Sequence, residues 1–270
     1  ANKIEPGKRM LSSMTPTIVI KDGAPVLALG GSGGGRIATG CTQVLLANLV
    51  FGRGVTQAVA DPRIDYLLDC GFPFVAYGRS ERRDEHAWFD FDNAAGTALA
   101  VQRLRAFGHL HIGYVHAPRE LNFAAQRYSG YQRGLQQAGL TERAEWVVPC
   151  GMGRRGGYEA MRRLLALADA PTAVIVDNNL AGVGAVRAVL DAGVMLGSEM
   201  SVIVYDGIPD DNLLPAPSVT SVGQPTALRA GEMLADMVVG VQQRKPISDL
   251  QVLWQPVLFP GATDGPAPAR

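Results

Sequence analysis

Ala173-Val-Ile-Val-Asp-Asn-Asn-Leu-Ala-Gly-Val-Gly-Ala-Val-Arg-Ala-Val-Leu-Asp-Ala192, followed by Ser201-Val-Ile-Val-Tyr-Asp206, decides the fold. Ala173–Val176 and Ser201–Tyr205 read as short buried strands, and Leu180–Ala192 between them reads as a helix. A strand-helix-strand unit of this kind pairs its strands in parallel, with the crossover helix covering one face. The rhythm continues upstream through helix Ala94–Phe107, strand His111–His116, helix Ala124–Ala138, strand Trp146–Pro149 and helix Tyr158–Ala168. Before these come a short helix, Arg63–Cys70, closed by Gly71, and two buried strands, Phe72–Tyr77 and Trp88–Asp92. Downstream, helix Pro225–Val241 and a final strand Val252–Leu258 complete the series. The expected class is α/β, with a doubly wound parallel sheet.

The first sixty residues follow a different pattern. Thr17-Ile-Val-Ile20 and Pro25-Val-Leu-Ala-Leu29 flank Asp22-Gly23, which predicts a β-hairpin. Gly30–Gly35 is a loop, Ile37–Phe51 has helical spacing ended by Gly52, and Val55–Ala60 forms a further turn before Pro62. At the other end, the Pro/Gly/Ala-rich stretch Gly261–Arg270 predicts disorder.

Composition narrows the function. The chain has 270 residues, 47% hydrophobic, 7% aromatic, with 32 glycines. Lys+Arg and Asp+Glu both number 25, so no basic excess drives phosphate contact, and direct nucleic-acid binding by this chain is not expected. Cys41, Cys70 and Cys150 are far apart and form no CxxC pair, which predicts reduced, mostly buried thiols in a cytoplasmic protein. Ala1–Met14 has no apolar signal core, and the longest apolar stretch, Gln43–Phe51, is too short and interrupted to cross a bilayer. Asp90, Asp92 and Asn93 could suggest a metal, and His109 and His111 lie together at a strand start. Neither group has the ligand spacing of a built site, so no metal and no cofactor are expected.

Two patterns could carry chemistry. Gly30-Gly-Ser-Gly-Gly-Gly-Arg36 could hold an anion or serve as a turn. It follows a hairpin strand rather than a βαβ strand, and no Gly-Lys-Ser/Thr follows, which excludes a Walker loop. The second pattern is a set of polar residues at strand ends. Asp206 ends one strand, Asn178 follows another, and Arg127 starts the helix after a third. The carboxyl edge of a doubly wound sheet forms a crevice, and Arg, Asn and Asp converging there suit the hydroxyls of a polyol. Phe123 in the same loop can stack on an apolar sugar face. Each has a plainer reading: Arg127 in a surface ion pair, Asn178 as a helix cap, Asp206 as a turn residue. No catalysis is expected.

Two resemblances sharpen this reading, meeting at Asp61-Pro-Arg63. Pro6-Gly-Lys-Arg-Met-Leu-Ser-Ser-Met-Thr-Pro16, Gly31-Ser-Gly-Gly-Gly-Arg-Ile37, Gln43-Val-Leu-Leu, Phe51-Gly and Ala58-Val-Ala-Asp-Pro-Arg63 resemble the C-terminal part of γ-glutamyltranspeptidase small subunits. The resemblance implies that Ser12 and Ser13 match the pair holding the substrate carboxylate, and Gly33 and Gly34 the oxyanion hole. That family attacks with a threonine followed by Thr-His. No Thr-Thr-His occurs in this chain, so these four residues are expected to be inactive remnants.

From Asp61 onward, Gly71-Phe-Pro-Phe-Val, Gly78-Arg79, Asp90-Phe-Asp-Asn93 with Gly96, Gly108-His109, Arg127-Tyr-Ser-Gly-Tyr131, Asp177-Asn-Asn179, Ser201-Val-Ile-Val-Tyr-Asp206 and Ser218-Val-Thr-Ser-Val-Gly-Gln-Pro225 resemble the effector-binding domain of LacI/GalR-family transcription regulators. The resemblance implies a periplasmic-binding-protein-like fold of two lobes. Residues 1–62 are then a transpeptidase-like hairpin and helix, and residues 63–270 the effector domain. Its first lobe is incomplete, limited to remnants 63–92 and 222–243, and its second lobe spans 93–221 and 250–260. It further implies a small-molecule effector, a sugar, held by Phe123, Arg127, Asn178, Asp206 and Gln224, and a possible homodimer. The family's DNA-reading helix-turn-helix has no counterpart in the chain, so no DNA contact by this chain itself and no membrane association are expected.

Overall fold

The computed structural model describes residues 17–21, 24–29, 63–80, 82–209, 218–223 and 227–269. The chain divides into two compact units, Ala1–Pro73 and Phe74–Arg270. In the first, β1 (Thr17–Lys21) and β2 (Ala24–Leu29) pair antiparallel, from Thr17 against Leu29 to Lys21 against Ala24. This is the hairpin that the Asp-Gly turn predicts. Helix α1 (Arg63–Asp69) ends at Gly71, whose φ of 63° is the left-handed conformation glycine adopts without a Cβ clash. The glycine loop and the helix expected over 37–51 lie outside the described residues.

The second unit holds two sheets. The larger, in the order β11-β9-β8-β7-β5-β6, comprises β5 (Ile112–His116), β6 (Val147–Pro149), β7 (Ala173–Val176), β8 (Ser201–Tyr205), β9 (Thr220–Gly223) and β11 (Val257–Phe259). Its pairs are parallel except β11 against β9. Every residue of β5, β7 and β8 is buried, because helices cover both faces. Along β7 the side chains alternate. Ala173 and Ile175 join a cluster with Leu104 of α2 (Asn93–Ala106) and Tyr131 of α3 (Asn122–Gln137). Val174 and Val176 join one with Leu164 of α4 (Arg154–Leu165) and Val186 of α5 (Asn179–Asp191). Glycine lets each helix pair close up: a β-carbon at Gly130 would collide with the Ala94 carbonyl, and one at Gly184 with the Arg154 carbonyl.

The smaller sheet, in the order β10-β4-β3, is parallel and consists of β3 (Val75–Tyr77), β4 (Ala87–Phe91) and β10 (Gln251–Trp254). Phe89 packs edge-to-face on Phe91 at 5.1 Å and on Trp254 at 4.9 Å. Ala230 and Met237 of α6 (Ala227–Gln242) complete this core.

The structure corrects several expectations. The first buried strand is only Val75–Tyr77, and Phe72 and Tyr77 are exposed. Pro73 has no N–H to extend the ladder toward Phe72. The single final strand is two: β10 runs parallel to β4, and β11 antiparallel to β9, so the span 250–260 divides between both sheets. Pro256 lies at the break and cannot donate to a ladder. The tail is not disordered through residue 269, for Thr263 and Asp264 are buried and hydrogen-bonded. Small residues let the tail lie against the base of the sheet; Gly265 packs so closely on Gly197 that a β-carbon would collide with its carbonyl. Of the cysteines, Cys70 is exposed because it sits in the turn that ends α1, and Cys150 is half-buried. Cys41 lies outside the described residues.

Candidate functional site

The carboxyl ends of β5, β7 and β8 converge on Arg127. This side chain projects from the second turn of α3 and is 7% exposed, so its charge is taken from water and needs partners. Arg127 Nε donates to Asn93 Oδ1 at 2.9 Å, Nη1 donates to the Asp177 carbonyl, and Nη2 donates to Asp206 Oδ2 at 3.1 Å. Its guanidinium lies 3.5 Å from the centre of the Tyr205 ring and 5.0 Å from that of Phe123. Stacking and three directed hydrogen bonds fix its plane. Gly96 on α2 leaves room for Tyr205, since a β-carbon there would strike the phenol.

Asp206 follows β8 with φ of 63°, an unusual conformation for a residue other than glycine, though aspartate tolerates it better than most. Its backbone N–H donates to the Val222 carbonyl at 2.7 Å, which holds the turn. The Asp206 side chain is 38% exposed, so one end of the ion pair faces solvent while the other is buried. Asn178 is buried and caps α5: its Oδ1 accepts from the Ala181 N–H at 2.9 Å, and its Nδ2 donates to Asp177 Oδ1 at 2.8 Å. The plainer sequence reading of Asn178 is therefore realised. One of its two amide hydrogens remains outside these bonds.

Asp177 is the hidden member of the cluster. Its carboxylate is fully buried, with Oδ2 accepting from the Ala117 N–H at 2.8 Å. Burial pushes the Asp177 carboxyl above its ordinary value, opposed by the hydrogen bonds from Asn178 and Ala117 and by the Arg127 and His116 charges. Asp177 thus ties the end of β5 to the end of β7 while its own carbonyl receives Arg127.

Arg127, Asn178, Asp206 and Phe123 are thus gathered at one rim. Gln224, Ser12, Ser13, Gly33 and Gly34 lie outside the described residues. Asn93 and Asp177 were missed as site residues on sequence, although both stand inside motifs quoted for the resemblance; their signal was a polar residue directly after a buried strand. The neighbouring carboxylates do other work: Asp92 caps α2 by accepting from the Ala95 N–H at 2.9 Å, and Asp90 pairs with Arg79 Nε at 2.8 Å. Among the described residues, no three His, Cys, Asp or Glu side chains group as metal ligands. His109 and His111 separate: His109 is buried against Thr172 and Ser201, and His111 stands 3.5 Å from Asp169. The Cys150 thiol is pushed up to about 12 by burial and by Asp177, so it is no nucleophile at neutral pH.

Residues 101–263 match the family profile described as a periplasmic binding protein-like domain. A regulatory protein of the LacI family from Chloroflexus aggregans has 32% identity and a TM-score of 0.69, over 76% of this chain and 73% of that one. The chain belongs to the LacI family. The structure of a transcriptional regulator from Yersinia pestis biovar Microtus is similar at 39% identity and a TM-score of 0.74, covering 84% of this chain and 82% of that one. Among protein sequences, the HTH-type transcriptional regulator RafR of Escherichia coli is 38% identical over 204 residues, which is 75% of this chain and 60% of RafR. AglR of Rhizobium meliloti is 33% identical over 218 residues, 78% of this chain and 60% of AglR. The chain thus spans about 60% of the length of these two relatives. A complex of the regulator CelR with cellobiose shares 28% identity and a TM-score of 0.66, over 75% of this chain and 62% of that one. Residues 1–73 match the family described as gamma-glutamyltranspeptidase. No described helix is long and apolar enough to cross a membrane.

Proposed function

We propose that this chain is the effector-sensing part of a LacI-family transcription regulator, and that it binds a neutral sugar at the rim formed by Arg127, Asn178 and Asp206. The observation that carries the reading is the Arg127 guanidinium, held in plane by Asn93, the Asp177 carbonyl and Asp206. Asp206 already compensates the buried Arg127 cation, so the site favours an uncharged ligand rich in hydroxyls over an anion. The half-exposed Asp206 carboxylate accepts from vicinal hydroxyls, the free Asn178 amide hydrogen donates, and Phe123 offers an apolar platform. Gln224 is a further ligand contact on this reading. The cellobiose complex of CelR supports a sugar as the ligand class.

On the same reading the functional boundary lies near residue 62, with the effector domain following. The lobes are the three-stranded sheet with α6 and the six-stranded sheet with its helices. The protein works in the cytoplasm as a homodimer, catalyses nothing, and leaves operator DNA to other parts of its family's architecture. Titration calorimetry against a panel of mono- and disaccharides tests this, with Asp206→Ala as control. A sugar that binds the native chain and loses at least about tenfold in affinity in the variant, the worth of one charge-assisted hydrogen bond, supports the assignment. Equal affinities remove Asp206 from the site. The transpeptidase-like match supports a second reading, γ-glutamyl transfer through Ser12, Ser13, Gly33 and Gly34. Turnover of γ-glutamyl-p-nitroanilide by the purified chain would establish it over the sensor.

A further inference from the structure

A second polar hollow lies beside the crevice and shares none of Arg127, Asn178 or Asp206. It is an open depression of about 500 Å³ between the loop after β3 and one stripe of α3, lined among others by Arg79, Arg83, Asn122, Gln126, Ser129 and Arg133. Residues 122, 126, 129 and 133 recur at three- and four-residue spacing, which places them along one face of the helix. The two walls are already joined: Asn122 Nδ2 donates to the Arg79 carbonyl at 2.9 Å, and Arg79 Nη2 donates to Gln126 Oε1 at 3.3 Å.

Among the described residues, the charges of this hollow are unbalanced. Asp90 compensates Arg79 from outside the hollow, at 2.8 Å. Asp92 is the carboxylate among the described lining residues, and its side chain is engaged in capping α2. Among the described residues, Arg83 pairs with Asp84 at 4.0 Å, in an exposed and screened geometry, and Arg133 forms no ion pair. The Arg83 backbone is nevertheless held in place, since Trp88 Nε1 and Gln251 Nε2 both donate to its carbonyl, at 2.9 and 2.8 Å. Two guanidiniums without close carboxylates among the described residues, one carried by a backbone fixed to the three-stranded sheet and one on a helix of the six-stranded sheet, therefore share a hollow with amide and hydroxyl donors. Guanidinium forks match the paired oxygens of phosphate and carboxylate groups.

We propose that this depression binds a small phosphate- or carboxylate-bearing metabolite, which bridges Arg83 and Arg133 and clips the loop after β3 to α3. The binding does not depend on the sensor reading. Its consequence does: an anion spanning both sheets favours one lobe angle and so changes affinity for the effector.

The test is thermal unfolding of the full chain with sodium phosphate or sodium citrate, against sodium chloride at matched ionic strength. The expected result is a saturable rise in Tm with phosphate or citrate, weakened at least about tenfold in Arg83→Gln/Arg133→Gln and unchanged in Asp206→Ala. A response to phosphate alone assigns a phosphoryl ligand, and one to citrate alone a carboxylate ligand. Ser129→Asp, an exposed position, serves as a second variant if the double variant is misfolded by circular dichroism, and it should abolish the response by repulsion. No saturable rise, or equal rises in the native chain and the arginine or Ser129 variant, overturns the proposal. So does loss of the response in Asp206→Ala, which would move the anion to the crevice.

Discussion

Val174–Val176 in the six-stranded sheet and Val252–Trp254 in the three-stranded sheet are similarly apolar, yet the first run is fully buried and the second half-exposed. The difference lies in what covers them. The larger sheet carries α2 and α3 on one face and α4 and α5 on the other. Among the described residues the smaller sheet packs on α6, whose Val238 and Val239 remain exposed. Burial is a collective property of layers, so equal hydrophobicity gives unequal stability. Asn178 and Asp206 of the proposed site stand just after strands of the better-buried sheet.

The contrast predicts its own tests. Trp146 is buried in the larger sheet's core and Trp254 half-buried in the smaller one. Trp146→Ala should cost about 3–5 kcal/mol in urea denaturation, and Trp254→Ala less, within the ~0.5–3 kcal/mol common for single substitutions. Equal losses would erase the distinction.

A smaller effect should come from the tail that pins the larger sheet. The Asp264 side chain is buried, pairs with Arg103 Nε at 2.8 Å and accepts from the Thr220 hydroxyl. Asp264→Ala leaves Thr220 without that acceptor, and about 1–3 kcal/mol of stability should be lost, with faster amide exchange at Thr220 and Val202. Unchanged exchange would make the tail a passenger.

Acid should act at the same end of the sheet. His109 is buried and bonded to Thr172, Ser201 and the Gly265 carbonyl, and burial holds its imidazole below the ordinary 6.5. The unfolded imidazole takes its proton near 6.5 while the folded one resists, so the unfolded state binds more protons as pH falls through that value. Stability should therefore decline below 6.5, and this share of the decline should vanish in His109→Gln. A Tm profile of equal slope in both chains would remove His109 from the account. The smallest effect is chemical: in a Cys41→Ser background, the exposed Cys70 should react with a disulfide reagent well before Cys150, whose thiol is pushed up to about 12. Equal rates would mean that the larger sheet opens as readily as the surface.

Sequence by itself determined the alternation of short strands and helices, because strand and helix periods are local signals. It also placed Asn178 and Asp206 just after strands, because a polar residue after a buried run is visible without a third dimension, and Arg127 at the start of the helix that follows a third. Tertiary structure alone decided their partners. Arg127 meets Asn93, Asp177 and Asp206 across separations of 34, 50 and 79 residues, and no local pattern encodes which strand ends become neighbours. The same holds for the tail. Gly261–Ala267 has the composition of a loose end, but Thr263 and Asp264 find Thr220, Val202 and Arg103 waiting at the base of the sheet. Pairing with distant groups, rather than propensity, ordered it.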